Sequence, residues 1–134
     1  IYISQKHIDM AKKNVLKAKF IREDFSKLEF QKTFDAIISF YAIFHIPREE
    51  HKDLFLKMHN ILNDDGIILV TLGTSGSEYG EEKDWAGATM AWSTYEPKEY
   101  KKMIKDVGFT ILEATFEGQL GDEEYHFWVL AQKK

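Results

Sequence analysis

The sequence contains no cysteine. That excludes disulfides, thiolate metal sites and a cysteine nucleophile, and it suits a protein of the reducing cytoplasm. Proline is almost as scarce, two in 134 residues, and both stand where a helix is expected to open. No apolar run approaches the roughly 18 residues that a membrane helix needs, and no charged-then-apolar leader opens the chain. Positive charge is not in excess either: 18 Lys and Arg stand against 22 Asp and Glu, for a net charge of −4. A nucleic-acid binder draws its affinity from a basic face, so nucleic-acid and membrane partners are both disfavoured. Repeats, low-complexity tracts and linkers are missing too. The expectation is a single cytoplasmic domain over residues 1–134, long enough to bury a core.

What the chain does have is a hydrophobic share of 44%, an aromatic share of 14%, and a clear alternation of periodic segments. Ser4 suits a helix N-cap, because its hydroxyl can accept a bond from a free first-turn amide. Ile8, Ala11 and Val15 follow at helical spacing, and Asn14 offers a stop. Ala18 to Arg22 reads as a short strand that leads into a polar turn at Glu23-Asp24-Phe25-Ser26. Phe34 to Phe40 (FDAIISF) is almost wholly apolar after Asp35, the pattern of a strand covered on both faces.

Pro47 suits the first position of a helix, where a missing amide costs nothing, and Glu49 and Glu50 favour its dipole. Leu54, Phe55, Met58, Ile61 and Leu62 form its apolar stripe, and Asn63-Asp64-Asp65-Gly66 ends it. Ile67 to Leu72 reads as a second buried strand. Pro97 opens another helix with Tyr100, Met103, Ile104 and Val107 on one face and Gly108 closing it. Phe109 to Phe116 and Tyr125 to Ala131 read as two strands with no helix between them, hence an antiparallel pair joined by a turn at 118–124. The order predicts an α/β sheet flanked by helices.

Several pieces, taken in order, resemble a known family. They are Ile3-Ser4 with Ala11-Lys12-Lys13-Asn14, the acidic turn at Asp24, FDAIISFYAIFHIP at 34–47, HNILNDDGIILV at 59–70, YKKMIKDVGF at 100–109, and the closing FWVLAQKK. Their order and spacing are similar to the C-terminal two-thirds of a class I S-adenosylmethionine-dependent methyltransferase with a Rossmann-like sheet. The resemblance implies S-adenosylmethionine as cofactor, lying across the carboxyl ends of the strands. It makes Asp24 the acceptor of the adenine amino group, with Phe25 beside the ring. Tyr2 aligns with the acidic residue that binds the ribose hydroxyls, a departure, since a phenol cannot accept two such bonds as a carboxylate does. Ser39 and Phe40, at the end of their strand, complete the implied cofactor contacts.

The family's first strand and its glycine-rich loop have no counterpart here, and residue 1 is Ile rather than Met. In the family that strand lies mid-sheet, so its absence predicts exposed strand edges. The expectation is that the chain belongs to a longer protein; pairing with a second chain and a rearranged sheet are the alternatives.

The remaining candidates belong to the acceptor. Tyr41 follows the Phe34 strand, where a methyl group would be transferred, although a capped strand end with core aromatics reads equally well. His45 lies just beyond and could serve as a general base, as imidazoles commonly do; a histidine before a helix also caps or packs. His51 and His59 are two turns apart, too far to share one metal ion, and are expected at the surface; no metal site is expected. His7 and His126 have no matching partners in the sequence. Residues 74–96 (TSGSEYGEEKDWAGATMAWSTYE) show no clear periodicity. Such long connections are often lids, and this one carries Trp85, Met90 and Trp92 as candidate substrate contacts, with a surface plug or a dimer contact as the other readings. The acidic run Glu78, Glu81, Glu82 and Asp84 reads as a solvated face.

Three functions are consistent with this sequence. The leading one is methyl transfer to a small molecule, in which the sulfonium drives the reaction and the protein aligns the acceptor. The second is a non-catalytic methyltransferase-like domain that has lost its cofactor loop and works by self-association as a homodimer. The third, another Rossmann-like nucleotide enzyme, finds no phosphate-cradling glycine loop to support it.

Overall fold

A computed structural model describes residues 1–27, 29–118 and 125–134. The chain forms two compact units, Ile1–Gln31 and Lys32–Lys134.

The first unit is built on α1 (Gln5–Asn14). Ser4 caps it as expected, its Oγ accepting the His7 amide at 3.5 Å, and Ile8 is its buried residue. The strand expected over Ala18–Arg22 is reduced to one parallel bridge between Tyr2 and Arg22. The Tyr2 amide donates to Ile21 O at 3.1 Å and the Glu23 amide to Tyr2 O at 3.2 Å.

The second unit holds β1 (Phe34–Ser39), two 3-10 turns (Ile43–His45 and Arg48–Glu50), α2 (His51–Ile61) and β2 (Leu62–Leu72). It continues with β3 (Gly80–Trp85), β4 (Ala88–Trp92), α3 (Pro97–Asp106), β5 (Phe109–Glu117) and β6 (His126–Lys133). Its main sheet has four strands in the order β1-β2-β6-β5. β1 and β2 run parallel, with Ile37 opposite Ile68, and the α2 crossover joins them. β6 is antiparallel to both β2 and β5, with Leu69 opposite Leu130 and Ala114 opposite Val129. The antiparallel terminal pair is therefore present as read from the sequence; its connecting turn at 119–124 lies outside the described residues.

The core follows strand parity. Ile68, Val70 and Leu72 of β2 and Phe127, Val129 and Ala131 of β6 are fully buried, while the intervening residues are half-buried except Thr71, which is buried as well. Period-two burial means that one sheet face carries the core. Leu54, Phe55 and Met58 of α2 and Tyr100 and Ile104 of α3 supply its other wall.

Four local expectations are corrected. β1 is not covered on both faces: it is an edge strand of the main sheet, and Ile38 is 63% exposed. Pro47 does not open α2 directly but precedes a 3-10 turn, its carbonyl accepting the Glu50 amide at 2.9 Å before the α-helix begins at His51. Asn63–Gly66 does not end the helix as a free turn. It is drawn into β2 as a bulge, where the partner of β1 jumps from Leu62 to Ile67, and Asp65 takes a φ of 60°.

The long segment 74–96 is likewise structured. β3 and β4 form a hairpin, with Glu82 opposite Met90 and Trp85 opposite Ala88. Its two-residue turn, Ala86-Gly87, has φ of 49° and 82°, and such a turn matches the right-handed strand twist. An alanine at the first of these positions is a weak turn signal, which hid the hairpin. Gly108 closes α3 with a φ of 106°, and a Cβ there would meet His59 Nε2 at 2.8 Å. Among the described residues, no helix is long and apolar enough to cross a membrane.

Candidate functional site

Strand direction decides where a site can form. β1, β2 and β5 all point the same way, and β6 starts at the end where they finish. Residues just after β1, β2 and β5 and just before β6 therefore share one end of the sheet. In open α/β sheets that carboxyl end is where ligands bind.

A cavity of about 1050 Å³ opens there. Tyr41, Phe44 and His45 line it from the segment after β1, and Ser75 and Ser77 from the segment after β2. Glu82, Trp85, Met90 and Trp92 reach it from the hairpin, and Glu117, Gly118 and His126 from the β5–β6 end. The structure thus brings together five residues expected in the substrate or catalytic set: Tyr41, His45, Trp85, Met90 and Trp92. Ser39 and Phe40 are not among the lining residues. Ser39 is held in the ladder opposite Val70, and the Phe40 ring packs on Trp128 at 5.0 Å.

Tyr41 carries a φ of 51°, a left-handed conformation that costs a bulky residue roughly 1–2 kcal/mol. Its hydroxyl donates to Glu117 Oε2 at 2.7 Å, and its ring meets His126 edge-on at 5.0 Å. Trp128 Nε1 donates to the same Glu117 oxygen at 2.8 Å. These two hydrogen bonds, the Tyr41 one first, hold the Glu117 carboxyl below its ordinary range, so it is ionised at neutral pH.

His45 Nδ1 lies 2.8 Å from Ala91 O. A carbonyl only accepts, so Nδ1 carries the proton, and in the neutral ring Nε2 holds the lone pair. The His45 ring packs at 4.7 Å from Trp92, which stacks on Phe44 at 5.7 Å and meets Trp85 edge-on at 5.6 Å. Phe44 in turn stacks on His126 at 5.6 Å. His126, without a partner in the sequence reading, is part of this aromatic cluster. The Trp92 indole N–H is buried without a hydrogen-bond partner among the described residues.

His51, expected at the surface, is buried instead. Its Nε2 donates to Ile46 O at 2.9 Å and its Nδ1 accepts the Tyr100 hydroxyl at 3.0 Å. His59 is half-buried against Phe109. Among the described residues, no group of three or more His, Cys, Asp or Glu is placed to hold a metal ion.

The implied cofactor residues of the first unit are Tyr2, Asp24 and Phe25. Asp24 Oδ1 accepts the Ser26 amide at 3.0 Å and the Ser26 hydroxyl at 2.8 Å, and Lys27 Nζ lies 3.4 Å from Oδ2. The Ser26 hydroxyl is the main cause that keeps this carboxyl below its ordinary range. Asp24 is thus both a turn-former and an ionised acceptor with lone pairs to spare. Phe25 is half-buried, and Tyr2 is 51% exposed and stacks on His7.

Phe44, Ser75, Ser77, Glu82, Glu117 and His126 were missed by sequence reading. For Glu117 and His126 a signal existed: once the last two strands are paired antiparallel, their connection must lie at the ligand end.

The comparisons agree with this architecture. Residues 1–66 match the family described as methyltransferase domain. The fold is similar to that of a SAM-dependent methyltransferase from Methanosarcina mazei, with a TM-score of 0.79 at 16% identity over 98% of this chain and 79% of that one. An S-adenosylmethionine-dependent methyltransferase from Clostridium acetobutylicum gives 0.76 at 13% identity, over 98% and 72%. This is the class I methyltransferase fold. Magnesium protoporphyrin IX methyltransferase from Synechocystis, solved with bound SAM, shares it at a TM-score of 0.71 and 16% identity, over 98% and 57%. No curated protein matches the sequence.

Proposed function

We propose that this chain is an S-adenosylmethionine-dependent methyltransferase acting on a small molecule in the cytoplasm. The observation that carries the reading is the cavity at the carboxyl end of the sheet, walled by the β3–β4 hairpin. Its volume, about 1050 Å³, is at the upper end of what small-molecule sites use, and its aromatic walls with a few polar groups are their usual lining.

When bound, the cofactor supplies an electrophilic methyl group on a sulfonium. Asp24 fits its adenine: an ionised carboxylate with free lone pairs suits an amino donor, and Phe25 is the neighbouring ring. Tyr2 does not fit the ribose, since one phenol oxygen cannot replace a two-oxygen acceptor. The glycine-rich loop has no counterpart in these residues. In the cavity, Tyr41, Trp85, Met90 and Trp92 position the acceptor, and His45 Nε2 can take a proton from it.

Calorimetric titration with S-adenosylhomocysteine tests this reading. Saturable binding is expected, weakened roughly three- to tenfold by Asp24→Asn, which preserves the turn but removes the charge. A folded sample that binds neither the thioether nor the sulfonium overturns it.

A specific observation favours a second reading, a non-catalytic homodimer. β1 is an edge strand with an exposed apolar residue, Ile38, and such edges invite pairing with another strand. A dimer in sedimentation, dispersed by Ile38→Lys, together with absent cofactor binding would establish it.

A further inference from the structure

The charges and rings around the cavity are one-sided. Among the described lining residues there is no lysine or arginine, whereas Glu82 and Glu117 contribute two carboxylates. Glu117 is held ionised by two donors, Tyr41 and Trp128, that leave its other oxygen uncommitted among the bonds described. Lining the same cavity are the rings of Tyr41, Phe44, Trp85 and Trp92. The guanidinium of this unit, on Arg48, is engaged elsewhere, with Gly76 O and Glu78 at 3.1 Å each and the Tyr95 ring at 5.2 Å.

The geometry points to an organic cation as the ligand of this cavity. Resting on the methyltransferase reading, the methyl acceptor is then a molecule that carries a positively charged nitrogen group. Three ligand classes compete for an aromatic cavity, and the acids separate them. An anion meets two carboxylates with no lysine or arginine among the described lining residues to offset them, only the imidazoles of His45 and His126. A neutral apolar body gains the ring contact but brings nothing to Glu82 or Glu117. A quaternary or protonated nitrogen gains both: the negative ring faces attract it, and so do the carboxylates. Tryptophan is the strongest aromatic partner for such a charge, and two of the four rings are tryptophans.

The test compares two compounds of one shape, (4-hydroxyphenyl)trimethylammonium and 4-tert-butylphenol, followed by the indole N–H resonances of Trp85 and Trp92. The ammonium compound is expected to bind about tenfold tighter or better, as cation–π and carboxylate attraction together imply. Its affinity should fall as salt rises, and the neutral compound's should not. Glu82→Gln, an exposed change that leaves folding intact, should weaken the ammonium compound about two- to fivefold and leave the phenol unaffected. Trp92→Phe, which keeps an aromatic wall, should weaken the ammonium compound further. Equal or tighter binding of tert-butylphenol, or of 4-hydroxybenzenesulfonate, overturns the proposal. So does a Glu82→Gln variant that loses both ligands alike. S-adenosylhomocysteine titrated into the same sample separates the two ideas. If it binds while the cation shows no preference, the ligand class fails and the transferase reading stands. If the cation is preferred without cofactor binding, the cavity assignment stands and the transferase reading fails.

Discussion

His51→Ala is expected to cost the second unit about 2–6 kcal/mol, because it removes two hydrogen bonds of a fully buried side chain and leaves a cavity in its place. His51 and Tyr100 are both fully buried, and they form a relay: Ile46 O accepts from Nε2, and Nδ1 accepts from the Tyr100 hydroxyl. The carbonyl fixes the tautomer, and the tautomer makes Nδ1 the acceptor that the phenol needs. Burial pushes the Tyr100 hydroxyl well above its ordinary range, so it stays a donor at any neutral pH. Tyr100→Phe removes one of the two bonds and should cost about 1–3 kcal/mol, less than His51→Ala. All three tryptophans lie in this unit, so urea unfolding followed by fluorescence reports on it.

The same relay makes stability depend on pH. Burial holds the His51 imidazole below its ordinary 6.5, more strongly than the Ile46 carbonyl raises it. The unfolded chain therefore takes up a proton near pH 6.5, while the folded one does so only at lower pH. This group's stabilising contribution is complete above pH 6.5 and is lost as the pH falls from there through the lowered folded value. The slope is at most about 1.4 kcal/mol per pH unit. Wild-type and His51→Ala curves should converge as the pH drops below 6.5. Parallel curves would show that His51 is not buried neutral.

Fold class and most of the element order were legible because they rest on periodicity; the β3–β4 hairpin and the reduction of the Ala18–Arg22 strand to one bridge were not. The stripe of Leu54, Phe55 and Met58, the apolar run Ile67–Leu72 and the capped helix from Ser4 are each a local pattern with one good solution. The site was half legible for the same reason. Tyr41, His45, Trp85, Met90 and Trp92 follow from where strands end and from a long aromatic segment. Glu117 and His126 do not, because a charged residue and a histidine at strand ends carry no pattern of their own. They become visible once β5 and β6 are paired and their ends fall beside β1. His51 was misread for a related cause: a histidine in a first helical turn looks exposed until the carbonyl of Ile46 and the phenol of Tyr100 are placed around it. β1 was misread because an apolar run records what a strand can bury, and an edge strand has less to bury it against.

Gly73→Ala tests whether the cavity wall depends on one close approach. A Cβ at Gly73 would lie 2.2 Å from Thr94 Cγ2 and 3.0 Å from Thr94 Cβ, so one of the two must move. Thr94 is not free to do so. It is buried, its amide donates to Ser77 O at 2.8 Å, and its Oγ1 engages both the Ser75 hydroxyl at 2.8 Å and the Ser77 amide at 3.1 Å. Those serines line the cavity, so the clash is passed directly to its wall. Overpacking of this kind typically costs about 1–3 kcal/mol. The variant should therefore unfold at lower urea and bind (4-hydroxyphenyl)trimethylammonium more weakly than the wild type.

The double variant Gly73→Ala/Thr94→Ser decides the cause. Serine keeps the Oγ1 hydrogen bonds and deletes only the Cγ2 methyl that the alanine strikes. It should recover most of the stability and the affinity, giving a favourable coupling energy in a double-mutant cycle. Losses that simply add would mean that Gly73 is needed for its backbone and not for the space beside Thr94. Recovery of stability without affinity would place the tie between Thr94 and the two serines, rather than the glycine, in control of the cavity wall.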